Sequence, residues 1–115
     1  MSTLTVSDVA RESGVSGSAV RFYERQGLIT AGRTSGNQRR FGPEAACRVR
    51  VARVAQRIGL SVGEIRELLA ALPPDPEPAD WQALHERLTA EAEQRIRELH
   101  AALDDIRSGR KLCEL

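Results

Sequence analysis

The chain has 115 residues and a mass of 12.6 kDa, which suits one small domain with an extension and excludes a large catalytic domain. Hydrophobic residues make up 41% and charged residues 29%, as in folded water-soluble proteins, and no apolar run is long enough to cross a membrane. The first residues lack the basic start and apolar stretch of a signal peptide, so we expect a cytoplasmic protein.

The net charge of +1 conceals two oppositely charged halves. Residues 1–60 contain ten arginines and four acidic residues, a net charge of +6. Residues 61–115 contain seven basic and twelve acidic residues, a net charge of −5. This asymmetry indicates that the first half of the chain, and not the second, meets a polyanion.

Two short helices joined by a tight turn are predicted at the start of the chain. Thr5 is suited to cap the first helix, which is expected to stop at Gly14. Ser16 is expected to cap the second helix, which runs to about Gln26. Two helices around a short glycine-containing turn are typical of a helix-turn-helix.

A small hairpin is predicted after the second helix. We expect an outgoing strand at residues 28–30, a glycine-containing tip at residues 31–37 and a return strand at residues 38–41. A hairpin with arginines in this position is the wing of a winged helix. A third helix is expected to follow Gly42 and run to about Ile58, and the capping box Ser61-Val62-Gly63-Glu64 predicts the start of a fourth. Residues 1–72 are therefore predicted to form a mainly α, winged helix-turn-helix DNA-binding domain.

Residues 73–79 are rich in proline and predict a linker. Residues 80–108 then show apolar side chains at steps of three and four, which predicts one long amphipathic helix. Its apolar stripe comprises Trp81, Leu84, Leu88, Ala92, Ile96, Leu99, Leu103 and Ile106. A second copy of the chain, packed parallel or antiparallel, is the expected cover for this stripe. The alternative is a helix folded back on its own domain.

Several ordered motifs carry a family resemblance. The segment VSGSAVRFYERQGLI from Val15 resembles the R-[FY]-Y-E-x-x-G-L signature of MerR-family transcriptional regulators. SGNQRRF from Ser35 and AQRIGLS from Ala55 extend the resemblance, which is strongest toward the SoxR branch. It implies a homodimer with an antiparallel coiled coil that binds an inverted repeat in promoter DNA. It also implies that the dimer distorts the DNA so that RNA polymerase can engage the promoter.

The resemblance and the chemistry of the side chains together predict which residues contact DNA. Short polar side chains at the start of the second helix suit base edges, and arginines suit phosphates. The predicted contacts are Ser18, Arg21, Tyr23, Arg25, Arg33, Asn37, Arg39 and Arg40. Arg39 matches the wing arginine of the family. On the third helix, Arg50, Arg53 and Arg57 either reach DNA or form a solvated face.

The C-terminal segment departs from the SoxR pattern. SoxR-like proteins carry a four-cysteine iron–sulfur motif after the long helix, whereas residues 109–115 contain Cys113 alone. We therefore expect no cluster and no cofactor. His85, His100 and Cys113 show no recognised ligand spacing, so no metal site is predicted. Cys113 is either a reactive thiol beside basic residues or an ordinary terminal cysteine, and Cys47 is expected to pack in the core.

The sequence supports three hypotheses about function. The first is an effector-linked or thiol-linked regulator of the MerR type. The second is a sensorless DNA-binding repressor or architectural protein. The third is a protein-interaction module that uses the long helix to recruit a different helix. No catalytic pattern supports an enzyme.

Overall fold

The structure, a computed structural model, describes residues 3–115; Met1 and Ser2, at the start of the predicted DNA-binding domain, lie outside the described residues. It is mainly helical, with a two-stranded antiparallel sheet. The elements are α1 (Val6–Ser13), α2 (Gly17–Arg25), β1 (Ala31–Arg33), β2 (Arg39–Phe41), α3 (Ala45–Arg57), α4 (Val62–Ala70), α5 (Pro78–Arg107) and a terminal 3-10 helix (Leu112–Glu114). The predicted fold class, a winged helix-turn-helix followed by a long helix, is confirmed.

The helix ends follow local capping chemistry. Thr5 Oγ1 accepts the backbone N–H of Asp8 at 3.1 Å, and the Asp8 carboxylate accepts the N–H of Thr5 at 2.9 Å. Ser61 and Glu64 make the same reciprocal pair at the start of α4. Gly14 ends α1 in the left-handed conformation, with φ of 75°, which glycine adopts without strain. These boundaries were predicted correctly because each depends on residues within one turn.

The two capping carboxylates make stability depend on pH. Hydrogen bonds from Thr5 lower the pKa of Asp8 below its ordinary value of 3.8, and those from Ser61 lower the pKa of Glu64 below 4.5. A carboxyl group whose pKa is lower in the folded state stabilises the fold at any pH above its unfolded-state pKa. This stabilisation is lost as the pH falls through its folded-state pKa. We therefore expect the melting temperature to fall as pH decreases below about 4.5.

The double variant Asp8→Asn/Glu64→Gln measures this contribution. Below about pH 5, down to the lowest pH at which both proteins fold, its melting temperature should depend less on pH than that of the wild type. The reason is that neither capping group can titrate in the variant. Scanning calorimetry across this range gives the comparison. Identical pH profiles for the two proteins would contradict the assignment.

The wing, residues 31–41, differs from the predicted hairpin at its outgoing strand. The structure places β1 at Ala31–Arg33, three residues after the predicted strand. Leu28 and Ile29 are instead buried side by side, with 2% and 3% exposure. Consecutive side chains of a strand point to opposite faces, so two adjacent buried residues suit the irregular connection from α2 better than a hairpin with one solvated face. The return strand agrees with the prediction to within one residue.

The core fills the space between α1, α2, α3, α4 and the base of the wing. Its fully buried large side chains are Phe41, Ile65, Leu68, Leu69, Val9, Val20 and Val49. Leu4 and Phe41 exchange two backbone hydrogen bonds of 2.8 and 2.7 Å, which attach β2 to the segment before α1. The wing is therefore anchored at its base to the helical core.

The first half of α5 packs on its own domain. Leu84 is 8% exposed and belongs to the same cluster as Leu68 and Leu72, while Trp81 and Leu88 are partly buried against that cluster. These three residues were predicted to face a second copy, but the alternative of a helix folded back on its own domain describes them correctly. Farther along, Arg95 pairs with Glu91 at 2.6 Å and with Glu64 of α4 at 3.5 Å.

The second half of α5 extends away from the domain. The molecule measures 63 × 32 × 20 Å, and its radius of gyration is 18.2 Å. A compact chain of this length has a radius of gyration of about 13 Å. The difference arises from the projecting helix, whose side chains after residue 95 are all exposed.

Candidate nucleic-acid interface

Helix α2 presents one polar face to solvent and one apolar face to the core. Val20 and Tyr23 are buried, whereas the exposed face includes Ser18, Arg21 and Arg25. Ser16 caps the helix by accepting the N–H of Ala19 at 3.1 Å. The first turn of α2 therefore exposes a helix N-terminus, short hydroxyl groups and a nearby arginine, all of which suit a negatively charged groove.

Tyr23 lies deeper than predicted. Its side chain is 5% exposed, its ring packs edge-on against Phe22 with 5.8 Å between centroids, and its hydroxyl donates to Gln56 Oε1 at 2.8 Å. A phosphate oxygen accepts hydrogen bonds and would need the same proton. Contact between Tyr23 and DNA therefore requires the hydroxyl to release Gln56, and in the structure Tyr23 joins α2 to α3.

The tip of the wing carries exposed polar side chains. Arg33 and Asn37 are exposed, and Asn37 adopts a positive φ of 61° at the turn. Arg40 is half-buried and donates to the carbonyl of Arg39 at 3.1 Å and to Gln38 Oε1 at 3.2 Å. These predicted DNA contacts are accessible at the surface.

Arg39 is engaged by a neighbouring helix. Its Nε donates to Oε1 of Glu24 in α2 at 2.6 Å, and both side chains are partly buried. This ion pair draws the wing against the last turn of α2, so the structure brings the predicted recognition helix and wing together. Arg39 was predicted to bind DNA, and its ion pair with Glu24 was not predicted.

Three arginines of α3 hold the ends of other helices. Arg53 donates to the carbonyl of Ser13 at 3.1 Å, and Arg50 donates to the carbonyl of Glu12. Arg48 donates to the carbonyls of Leu69 and Leu72 at 2.8 and 2.7 Å.

These contacts are favourable because the last carbonyls of a helix lack partners and carry partial negative charge. Arg50 and Arg53, for which DNA contact and a solvated face were both open, thus bind the end of α1. Their partners lie 38 and 40 residues away in the chain, so no local pattern reveals them. Cys47 of the same helix is exposed, and the expectation that it packs in the core was wrong.

The free part of α5 carries an apolar stripe. Its members and their exposures are Ile96 (54%), Leu99 (70%), Leu103 (40%) and Ile106 (57%). They belong to the predicted seam and recur at steps of three and four, on one side of the helix. Ala92, also in the predicted seam, is half-buried and marks the boundary between the packed and free parts of the helix.

The chain matches two family models. Residues 4–72 match the MerR HTH family regulatory protein, and residues 47–108 match the MerR DNA-binding family. The two matches overlap, so the helix-turn-helix, the wing and the long helix are covered without a gap.

The chain belongs to the MerR family.

MerR-family relatives extend the match over most of the chain. The chain is 37% identical over 109 residues to an HTH-type transcriptional activator SoxR homolog from Chromobacterium violaceum. The alignment covers 93% of this chain and 74% of that protein. The chain is 34% identical over 99 residues to the HTH-type transcriptional regulator CueR from Yersinia pestis, covering 84% and 71%. The chain spans about half the length, 49%, of the mercuric resistance operon regulatory protein from Pseudomonas fluorescens, with 40% identity over 70 residues.

Solved MerR-family structures share the fold. A regulator from Listeria monocytogenes aligns with a TM-score of 0.61 and 30% identity, over 90% of this chain and 80% of that one. HiNmlR, described as a MerR family regulator lacking the sensor domain and bound to promoter DNA, aligns with a TM-score of 0.60 and 24% identity, over 93% and 86%. The protein is a transcriptional regulator with a DNA-binding domain, not an enzyme.

The C-terminal tail lies beyond both MerR family models. Residues 109–115 follow the matched region, and Cys113 is exposed in the 3-10 helix. Within residues 3–115, no group of three or more histidine, cysteine or acidic side chains is placed to hold a metal ion. In the same range, no helix is long and apolar enough to span a membrane.

Proposed function

We propose that this MerR-family protein binds an inverted-repeat promoter site as a homodimer and distorts the DNA to control transcription. The observation that carries the proposal is the pairing of an exposed basic recognition helix with an apolar stripe on a projecting helix in one chain. The first feature suits one half-site of a duplex. The second suits a second copy that brings the other recognition helix. Such a protein works on promoter DNA, and we propose the cytoplasm as its location.

The DNA contacts divide by chemistry. Ser18, at the start of α2, is proposed to face base edges in the major groove, while Arg21 and Arg25 bind phosphates. Arg33, Asn37 and Arg40 of the wing are proposed to bind the backbone beside the groove. Arg39 is proposed to reach phosphate through its two Nη groups, which have no protein partner among residues 3–115, while its Nε stays on Glu24. Tyr23 is proposed to act through its contact with α3.

The dimer is proposed to form through an antiparallel coiled coil of α5. The stripe from Ile96 to Ile106 spans 11 residues, or about 16 Å of helix. Four large apolar side chains exposed on one side of a helix are unfavourable in water, and a second copy covers them most simply. Because the first half of α5 is attached to the DNA-binding domain, the coiled coil sets the distance between the two recognition helices.

Control of transcription is proposed to operate through DNA shape. A rigid dimer that binds both half-sites by their phosphates can bend or untwist the DNA between them, at a cost that depends on sequence. RNA polymerase is the proposed further partner, because its access to a promoter depends on the relative orientation of the two promoter elements. HiNmlR, which has the same fold, is described as bound to promoter DNA.

Selection from a random-sequence pool of DNA duplexes tests this function. We expect the purified chain to enrich an inverted repeat and to bind it as two chains per duplex in sedimentation experiments. Energy transfer between dyes at the duplex ends should report a shorter end-to-end distance in the complex. Enrichment of single half-sites, one chain per duplex, or an undistorted duplex would contradict the proposal.

Two schemes differ in how the protein is regulated: a Cys113 thiol switch, or a regulator without one, which is either linked to another effector or sensorless. Cys113 is exposed, and Arg110 beside it donates to the carbonyl of Glu114 at 2.8 Å. HiNmlR, which shares the fold, is described as lacking the sensor domain, so the fold is compatible with the sensorless scheme.

Binding of the selected duplex with and without the thiol oxidant diamide decides between the two schemes. A thiol switch predicts a change in affinity on oxidation that disappears in Cys113→Ser and persists in Cys47→Ser. Cys47 is the matched control because it is also exposed. Affinity that is indifferent to oxidation would leave an effector-linked regulator or a sensorless one.

A further inference from the structure

We propose that Glu24 is a positioning residue for DNA binding, which holds the wing in its binding orientation through Arg39. The inference rests on the proposed binding of DNA through α2 and the wing. Glu24 belongs to the recognition helix but is not proposed to touch DNA. Its carboxylate accepts from Arg39 Nε at 2.6 Å across 15 residues of chain. It is therefore a direct link between α2 and β2.

The register of the wing shows why Arg39 points toward Glu24. Arg39 and Phe41 are two residues apart in β2, so their side chains leave the same face of the hairpin. Phe41 is fully buried, so this face points into the domain. Arg40 pairs with Gly32 and points to the other face. Arg39 is thus the wing arginine that the strand directs toward α2.

The wing needs such a link because its backbone anchor, the pairing of Leu4 with Phe41, lies only at its base. Each strand has three residues, and an isolated two-stranded hairpin is marginally stable in water. Arg33 lies directly across from Arg39, and like charges in this register repel each other. The carboxylate of Glu24 compensates one of these two charges. It therefore favours the hairpin before any phosphate is present.

The position of Glu24 is unfavourable apart from this pair. It lies in the last turn of α2, where the helix dipole disfavours a negative charge. It also lies on the helix that faces a polyanion, where its charge repels phosphate. Electrostatics alone therefore predicts that Glu24→Gln binds DNA more tightly than the wild type. The positioning role predicts the opposite sign.

The test measures affinity and its salt dependence on the duplex selected by the wild-type chain. We expect Glu24→Gln to bind roughly five- to tenfold more weakly, because the partly buried hydrogen bond from Arg39 loses the negative charge that strengthens it. The slope of log Kd against log salt should also decrease, although no cation is removed, because the wing phosphate contacts disengage. Glu24→Asp, which keeps the charge but shortens the side chain, should change both quantities in the same direction.

Two controls separate positioning from charge and from folding. Glu12→Gln makes the same charge change at an exposed position of α1, and it should leave the affinity for DNA unchanged or raise it. The melting temperature of Glu24→Gln should stay within a few degrees of the wild type, since the pair lies outside the buried core.

Combined variants test the link itself. Glu24→Gln/Arg39→Gln should bind no more weakly than Arg39→Gln, because the two residues act as one unit. Glu24→Gln/Arg21→Gln should show additive losses, because Arg21 is proposed to bind phosphate from α2 and not from the wing. Equal or tighter binding by Glu24→Gln, or losses for the Glu24 and Arg39 variants that add, would overturn the inference. A wild-type chain that enriches no duplex would instead contradict the proposed function.

Discussion

Leu99→Glu should convert the protein to monomers and weaken binding to the selected inverted repeat by roughly 100-fold or more, because two linked half-site contacts become one. Leu99 is the most exposed member of the apolar stripe, at 70%, and lies near its middle. In an antiparallel pair, each glutamate would be buried against apolar side chains of the other chain, at a cost that an unpaired charge cannot recover. Sedimentation velocity and fluorescence anisotropy measure the two effects.

Ala101→Glu is the matched control for this change. Ala101 is exposed and lies on the opposite side of the same helix, since two residues correspond to a rotation of about 200°. The added charge is the same, so Ala101→Glu should remain dimeric and keep its affinity for DNA. Because neither Leu99 nor Ala101 belongs to the core cluster, Leu99→Glu should melt as a folded monomeric domain and Ala101→Glu as the wild-type dimer. A Leu99→Glu protein that stays dimeric would show that the seam lies elsewhere.

Phe41→Ala should destabilise the domain by about 3–4 kcal/mol, the usual cost of removing a fully buried phenyl ring. Phe41 is 0% exposed and lies in β2, where its backbone also pairs with Leu4. The cavity would open at the base of the wing, so DNA binding should weaken along with stability. Thermal unfolding should show a midpoint lower by roughly 10–20 °C for a domain of this size.

Phe41→Leu serves as the control for this prediction. It retains most of the buried apolar volume and should cost less than about 1.5 kcal/mol. The wing should stay attached, and DNA affinity should remain close to that of the wild type. Equal destabilisation by the two substitutions would mean that the ring itself, and not its volume, holds the wing.

Family membership and most helix boundaries were accessible from the sequence because their signals are local. The capping pairs at Thr5 and Ser61 lie within four residues, and the signature around Arg21 to Leu28 is contiguous. The apolar positions of α5 also indicated correctly that a long helix is present. Periodicity along one helix cannot state which other surface covers each apolar residue. For that reason Trp81, Leu84 and Leu88 were assigned to a second copy although they pack on their own domain.

Most of the residues predicted to contact DNA lie at the surface, but their contacts within the protein were not predicted. The exposed polar side chains of α2 and of the wing tip lie where the sequence predicted them. The hydrogen-bond partners of the arginines were not predictable from the sequence, because a long guanidinium side chain can reach many different acceptors. One signal for Arg39 was present in the alternation of β2, which places it on the same face as Phe41.

By itself, then, the sequence determined a MerR-family helix-turn-helix, its caps and its long terminal helix, all of which depend on neighbours within a turn or two. The tertiary structure alone decided where β1 begins, which part of α5 is free, and that Arg39 binds Glu24 while Arg50 and Arg53 bind the end of α1. The arginine contacts among these join groups 15 to 40 residues apart in the chain. Packing in three dimensions brings such groups together, and no local pattern encodes their distance.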